Sequence, residues 1–181
     1  MKRLIQILCL LLSINAISQP AKINTSFDAF TKQYEVSTGD VRLTYTGFSD
    51  GNAFSVGFYS IGDSTYLLFT ASIEHRCDIN KGDKLLFLLD NDSVVSAFSP
   101  IDQSVGSGTA NSAYTADNVY VISVNAINAL VKHPIKQMRM YYSSGYQYID
   151  NDVKANYLPD FIATAKSFLA LYYVHKNKVS Q

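Results

Sequence analysis

The densest group of chemically capable side chains in this 181-residue chain is Glu74-His75-Arg76-Cys77, which ends a stretch of alternating apolar and polar residues. In an extended chain successive side chains point to opposite faces, so His75 and Cys77 share one face and Glu74 and Arg76 the other. Two ligands on one face fall short of the four that close a structural zinc site. The remaining histidines, His133 and His175, stand beside a proline and in a charged tail, so no metal site is predicted. Cys77 or a hydroxyl with a distant base and acid would make a dispersed hydrolytic centre, because nucleophilic catalysis needs all three parts. Gly106-Ser107-Gly108 lacks the G-x-S-x-G frame of a nucleophile elbow, and no Lys-Ser or Lys-Thr follows at phosphate-loop spacing. Glu35 and Glu74 fall in unrelated predicted strands, and Asp90-Asn91-Asp92 lacks the Gly and terminal Glu of a calcium loop. No residue is assigned a catalytic role, and no cofactor is implied.

Aromatic residues carry more information. The chain has 13 Tyr and no Trp, with a cluster at Tyr141, Tyr142, Tyr146 and Tyr148 around Ser143-Ser144-Gly145. A hairpin there divides the four tyrosines between two faces, and those facing water could stack a sugar ring or fill a protein interface. Arg139 is expected in a surface ion pair or covering a tyrosine face.

The elements that must position these groups are mostly strands. Thr65, Leu67, Phe69, Ala71 and Ile73 alternate with Tyr66, Leu68, Thr70 and Ser72, and the same rhythm runs through Val41-Leu43-Tyr45 and Phe54-Val56-Phe58. Leu85 to Leu89 is apolar throughout, which predicts a central strand covered on both faces, and 94–98 pairs back through an Asn91-Asp92 turn. Further strands are expected at 34–38, 118–122, 135–142 and 146–149. Thirteen of the 15 acidic residues are Asp; Asp40, Asp50, Asp63, Asp83, Asp90, Asp92, Asp117 and Asp150 read as turn makers. Residues 99–117 read as one long polar loop.

Two segments change to helical spacing. Ser123 caps a short helix at 123–132 that His133-Pro134 ends. Val153, Tyr157, Phe161, Ala165, Phe168 and Tyr172 form one apolar stripe through the C-terminal segment. Pro159 interrupts that run without breaking its phase, which predicts an outward kink or two coaxial helices. The fold class expected is therefore α+β and β-rich, an antiparallel sheet, curled or sandwich-like, with the C-terminal helix packed on it.

Residues 1–18 have a charged start at Lys2-Arg3, an apolar run from Leu4 to Leu12 and a small-residue end, the three parts of a secretory signal peptide. The run is shorter than the roughly 20 residues that span a bilayer, and Cys9 lies inside it without the small preceding residues of a lipoprotein site. The expected division is thus a leader at 1–18 and one domain at 19–181, located in the periplasm or outside the cell, with no transmembrane segment in the mature chain. Loss of the leader leaves Cys77 without an internal disulfide partner, so a core must hold the fold. Lys and Arg balance Asp and Glu at 15 each, and cleavage makes the mature chain slightly acidic, which argues against nucleic-acid binding.

Gly82-Asp83-Lys84-Leu85-Leu86-Phe87-Leu88-Leu89-Asp90, then Tyr120-Val121-Ile122-Ser123 with Ile127 and Leu130, then Ile135 through Met138-Arg139-Met140, resembles small exported proteins of unknown function from Gram-negative bacteria. The resemblance covers about residues 34–173 and implies a compact envelope-associated domain with a terminal helix. It carries over no catalytic residue. The expected function is an exported, non-enzymatic module that binds a protein partner or a glycan. The alternatives are a hydrolase using Glu74, His75 and Cys77, and a structural subunit that assembles through an exposed strand edge.

Overall fold

The computed structural model describes residues 21–45, 53–73, 77–104, 114–143 and 145–179; residues 1–18, the expected leader, lie outside them. The strands are β1 (Ile23–Asp28), β2 (Gln33–Thr38), β3 (Val41–Tyr45), β4 (Ala53–Ile61), β5 (Ser64–Ile73), β6 (Asp78–Ile79), β7 (Lys84–Leu89), β8 (Val94–Phe98), β9 (Gln103–Ser104), β10 (Tyr114–Val121), β11 (Ile135–Tyr142) and β12 (Gln147–Asp152). The helices are α1 (Val124–Lys132), between β10 and β11, and α2 (Leu158–Val179), after β12. Ten strands make one open antiparallel sheet in the order β1-β2-β4-β5-β10-β8-β7-β11-β12, with β3 also beside β4; β6 and β9 pair apart from it. The α+β, β-rich class is as the sequence predicts. Among the described residues no helix is long and apolar enough to cross a membrane.

The period-two pattern of β4 and β5 is cashed out as burial. Phe54, Val56 and Phe58 face inward with Leu67, Phe69, Ala71 and Ile73. They join Leu85, Phe87 and Leu89 of β7 and Met138 and Met140 of β11 in one core cluster, so the sheet curls around a single interior. α2 lies across β2, β3 and β4 and also touches α1. Its Phe168 stacks on Phe58 with ring centroids 5.3 Å apart, and Phe161 meets the same ring at 5.7 Å. Ser123 caps α1, its hydroxyl accepting from the Ala126 amide at 3.1 Å.

Curling interrupts the backbone ladder, and side chains fill the gaps. The chain bends at Gly39-Asp40 so that β2 and β3 both pair along β4. There the Thr38 hydroxyl accepts from the Phe58 amide at 2.8 Å, and the Thr44 hydroxyl from the Phe54 amide at 2.9 Å. A Cβ on Gly57 would stand 2.9 Å from the Asp40 carboxylate and 3.3 Å from the Thr38 carbonyl, which explains glycine at that crossing. Another gap is the seam between β8 and β10, whose registered pairing is Val121 with Phe98. The Gln103 side chain completes it, its Oε1 accepting from the Val119 amide at 3.0 Å and its Nε2 donating to the Val119 carbonyl at 3.2 Å.

Several expectations change. Leu158 begins α2, so Pro159 sits in its first turn, where no intrahelical donor is needed, and no kink arises. Val153 and Tyr157 precede the helix. Leu86 and Leu88 of β7 are half-buried, so that strand is covered on one face and not on both. Asp117 and Asp150 lie on strands and bind Thr70 and Arg139, not turns. The polar 99–117 stretch holds β9 and the start of β10; residues 105–113 lie outside the described ones. β1 has no counterpart in the sequence reading.

Gln103→Leu should lower stability by about 1–3 kcal/mol, because it strands the amide and carbonyl of Val119 in a part-buried seam. Urea unfolding should show a lower midpoint with an unchanged slope.

Candidate functional site

Register decides what the outer face of the β8-β7-β11-β12 arm presents. Lys84, Leu86 and Leu88 of β7 pair with Phe98, Ser96 and Val94 of β8. On the other side Leu86 pairs with Arg139 and Leu88 with Gln137, which places Tyr141 beside Lys84 one step further along β11. β12 adds Tyr148 opposite Tyr141, Asp150 opposite Arg139 and Asp152 opposite Gln137. Three rows cross the arm: Phe98, Lys84, Tyr141, Tyr148; then Ser96, Leu86, Arg139, Asp150; then Val94, Leu88, Gln137, Asp152.

The long side chains of β11, with Phe98 at the end of β8, stand around Leu86 and Leu88 of β7 and the short Ser96 and Val94 beside them, leaving a groove along β7. One part of about 570 Å³ is lined by Lys81, Lys84, Leu86, Ser96, Tyr141 and Gly145 among others. A second part of about 200 Å³ continues it over Leu86, Leu88, Val94 and Gln137. Phe98 and Val94 are 45% and 55% exposed at its side, and Val121, across the seam from Phe98, is 44% exposed.

Alternation divides the predicted tyrosines. Tyr142 packs against the core, while Tyr141 and Tyr148 share the outer face with rings 5.8 Å apart. Tyr146, at the turn, is 88% exposed. Arg139 is both ion-paired and stacked: its Nε and Nη2 donate to the two Asp150 oxygens, each at 2.6 Å, and its guanidinium lies 4.1 Å from the Tyr148 ring centre. Asp150, with help from the Tyr141 hydroxyl, drives the guanidinium pKa above its already high value, so this cation is permanently charged and already partnered.

Of the other predicted cluster the structure describes Cys77. Glu74, His75 and Arg76 lie outside the described residues. Cys77 is a free thiol sealed in the core, and burial, reinforced by the Asp78 charge, pushes its pKa up to about 11. An activated cysteine needs the opposite shift. Nearby, the buried Tyr120 hydroxyl and the Asn118 amide make no hydrogen bond among the described residues; burial, then Asp83 and Cys77, raises the Tyr120 pKa. Among the described residues no group of three or more His, Cys, Asp and Glu side chains could hold a metal ion.

Sequence reasoning missed a second concavity of about 200 Å³ where the end of α2 meets β2 and the β4–β5 turn. His175 stacks on Tyr34 at 4.3 Å, and Lys176 pairs with Asp63 at 3.0 Å. It missed Lys81, Lys84, Leu86 and Phe98 as groove residues as well. The unbroken apolar run at Leu85–Leu89 was the available signal for the groove floor.

No family model, curated protein or solved structure matches this chain. The reading of the site therefore rests on its geometry.

Two measurements follow. Cys77 should resist iodoacetamide at pH 8 in the folded protein and react in urea, since folding both shields and protonates it. His175 is held below the ordinary 6.5 by burial and then by Lys178, so the unfolded chain takes up its proton first. Stability present above about pH 6.5 should be lost as pH falls through the depressed value. The thermal midpoint should drop between pH 7.5 and 5.5, and His175→Phe, which keeps a ring against Tyr34, should flatten that slope.

Proposed function

We propose that this protein is an exported, non-enzymatic binding module and that a protein partner docks on the outer face of the β8-β7-β11-β12 arm. The observation that carries the reading is the groove along β7, floored by Leu86 and Leu88, walled by Tyr141 and continuous with exposed Phe98, Val94 and Val121. An exposed apolar strip rimmed by polar groups marks an interaction site more often than an idle surface. Tyrosine and arginine at its edge are the side chains that most often anchor protein interfaces. The charged start, apolar run and small-residue end of residues 1–18 support export, and an exported module meets its partner in the periplasm or outside the cell.

A glycan is the second reading, favoured by the free ring surface of Tyr146 at the hairpin end. Tyr148 suits it less, because the Arg139 guanidinium already covers a face of that ring. The resemblance to small exported envelope proteins agrees with either ligand. A hydrolase is supported less well, given the sealed and protonated Cys77.

Crosslinking in the native envelope from a photoreactive residue at Tyr146 should yield one discrete adduct. The double substitution Tyr141→Ala and Tyr148→Ala should weaken that association at least tenfold without changing the circular dichroism, since interface aromatics commonly carry 2 kcal/mol or more. Binding to an immobilised glycan panel with no protein adduct would reverse the choice of ligand, and unchanged binding of the double variant would remove the site.

A further inference from the structure

We infer that the groove accepts an extended, acidic peptide segment of the partner, laid along β7 with an Asp or Glu side chain at the Lys81-Lys84 end. This rests on the protein-partner reading above and adds to it the chemistry and direction of what binds.

The shape comes first. The groove follows one strand from Lys84 to Leu88, and its floor is made by Leu86 and Leu88, two residues apart on the same face. Their spacing along the strand is about 7 Å, the repeat at which an extended chain presents alternate side chains. A peptide lying parallel or antiparallel to β7 therefore sets two apolar side chains on the two leucines. A helix offers its apolar residues at other intervals, and a sugar ring asks for an aromatic plane beneath it.

The charge pattern gives the direction. Arg139 is satisfied by the bidentate Asp150 contact, and Lys136 is paired with Asp92 at 2.8 Å. At the other end neither the Lys81 nor the Lys84 ammonium takes part in a described ion pair. Lys84 instead stands between two rings of its row, 5.9 Å from the centre of Phe98 and beside Tyr141. Two carboxylates are close to this end, and both are committed to backbone amides: Asp83, itself buried, to Asn80 at 2.8 Å and Asp102 to Lys81 at 2.7 Å. The far end is different, with Gln137 donating to Asp152 at 3.3 Å. An incoming carboxylate thus finds, at the Lys81-Lys84 end, two ammonium groups outside any described ion pair beside two carboxylates held by backbone amides, and at the other end the Asp152 carboxylate.

Selection of a phage-displayed random dodecapeptide library against the protein tests this. The enriched peptides should carry Asp or Glu next to apolar residues at alternate positions. A synthetic enriched peptide should bind the Lys81→Glu, Lys84→Glu variant at least tenfold more weakly than the parent, and replacing its acidic residue by Lys should restore binding to that variant. Raised salt should narrow the difference. Enriched peptides without acidic bias that are lost on Tyr141→Ala would leave the protein-binding groove standing and overturn the acidic proposal. Peptides that bind the charge-reversed variant as well as the parent would overturn it too. An absence of any enriched peptide, together with binding of the parent to a glycan panel, would overturn both readings.

Discussion

Buried backbone amides and carbonyls must be paired, and a ten-stranded sheet that curls around one core cannot pair all of them by straight ladders. At several bends among the described residues a hydroxyl or carboxamide substitutes for a missing strand neighbour. Thr38 and Thr44 do so where β2 and β3 share β4, and Gln103 does so at the seam. Thr65 does the same at the end of β10, donating its hydroxyl proton to the Ile122 carbonyl. The three threonines are buried, although nothing in their type would place them in a core. Leaving one such backbone group unpaired costs about 1–3 kcal/mol, a large share of a domain's net stability. The polar interior residues are thus what permits the apolar ones to meet.

The curl also determines which surface is left over. With the inner faces of the sheet and the two helices enclosing the core, the outer leucines of β7 stay half-buried, with no covering layer among the described residues. Strand register then sets them between the long Arg139 and Gln137 of β11 and the short Ser96 and Val94 of β8, and a groove results from ordinary side-chain lengths. Its polarity comes from the same register, which puts Arg139 opposite Asp150 but leaves Lys84 opposite Phe98.

Sequence patterns read well where burial is one-sided and fail elsewhere. Alternation located β4 and β5 because one face is core and the other solvent. β1 escaped because Ile23 to Asp28 is exposed along most of its length, held by β2 and by an Asp28 turn in which Lys32 takes a φ of 59°. Pro159 was misplaced because the apolar stripe keeps phase through residues that are not yet helical, so periodicity alone could not find the start of α2. The division of Tyr141 and Tyr148 from Tyr142 was legible from alternation. The groove was not, because the β7–β11 register joins strands separated by β8, β9, β10 and α1, and no local pattern encodes it.

Most of the sheet is assembled from neighbours in sequence: β1 with β2, β4 with β5, β7 with β8, and β11 with β12. β10 and β11 are different: β10 pairs with β5, five strands earlier, β11 pairs with β7, four strands earlier, and the link of β10 to β8 is a single residue pair reinforced by Gln103. Closing the long intervening loop costs chain entropy before any contact is gained. In kinetic terms the hairpins can form early and independently, while the two arms become one cooperative unit only when β10 docks. The strand at the seam is therefore also the one on which the joining of the two arms depends.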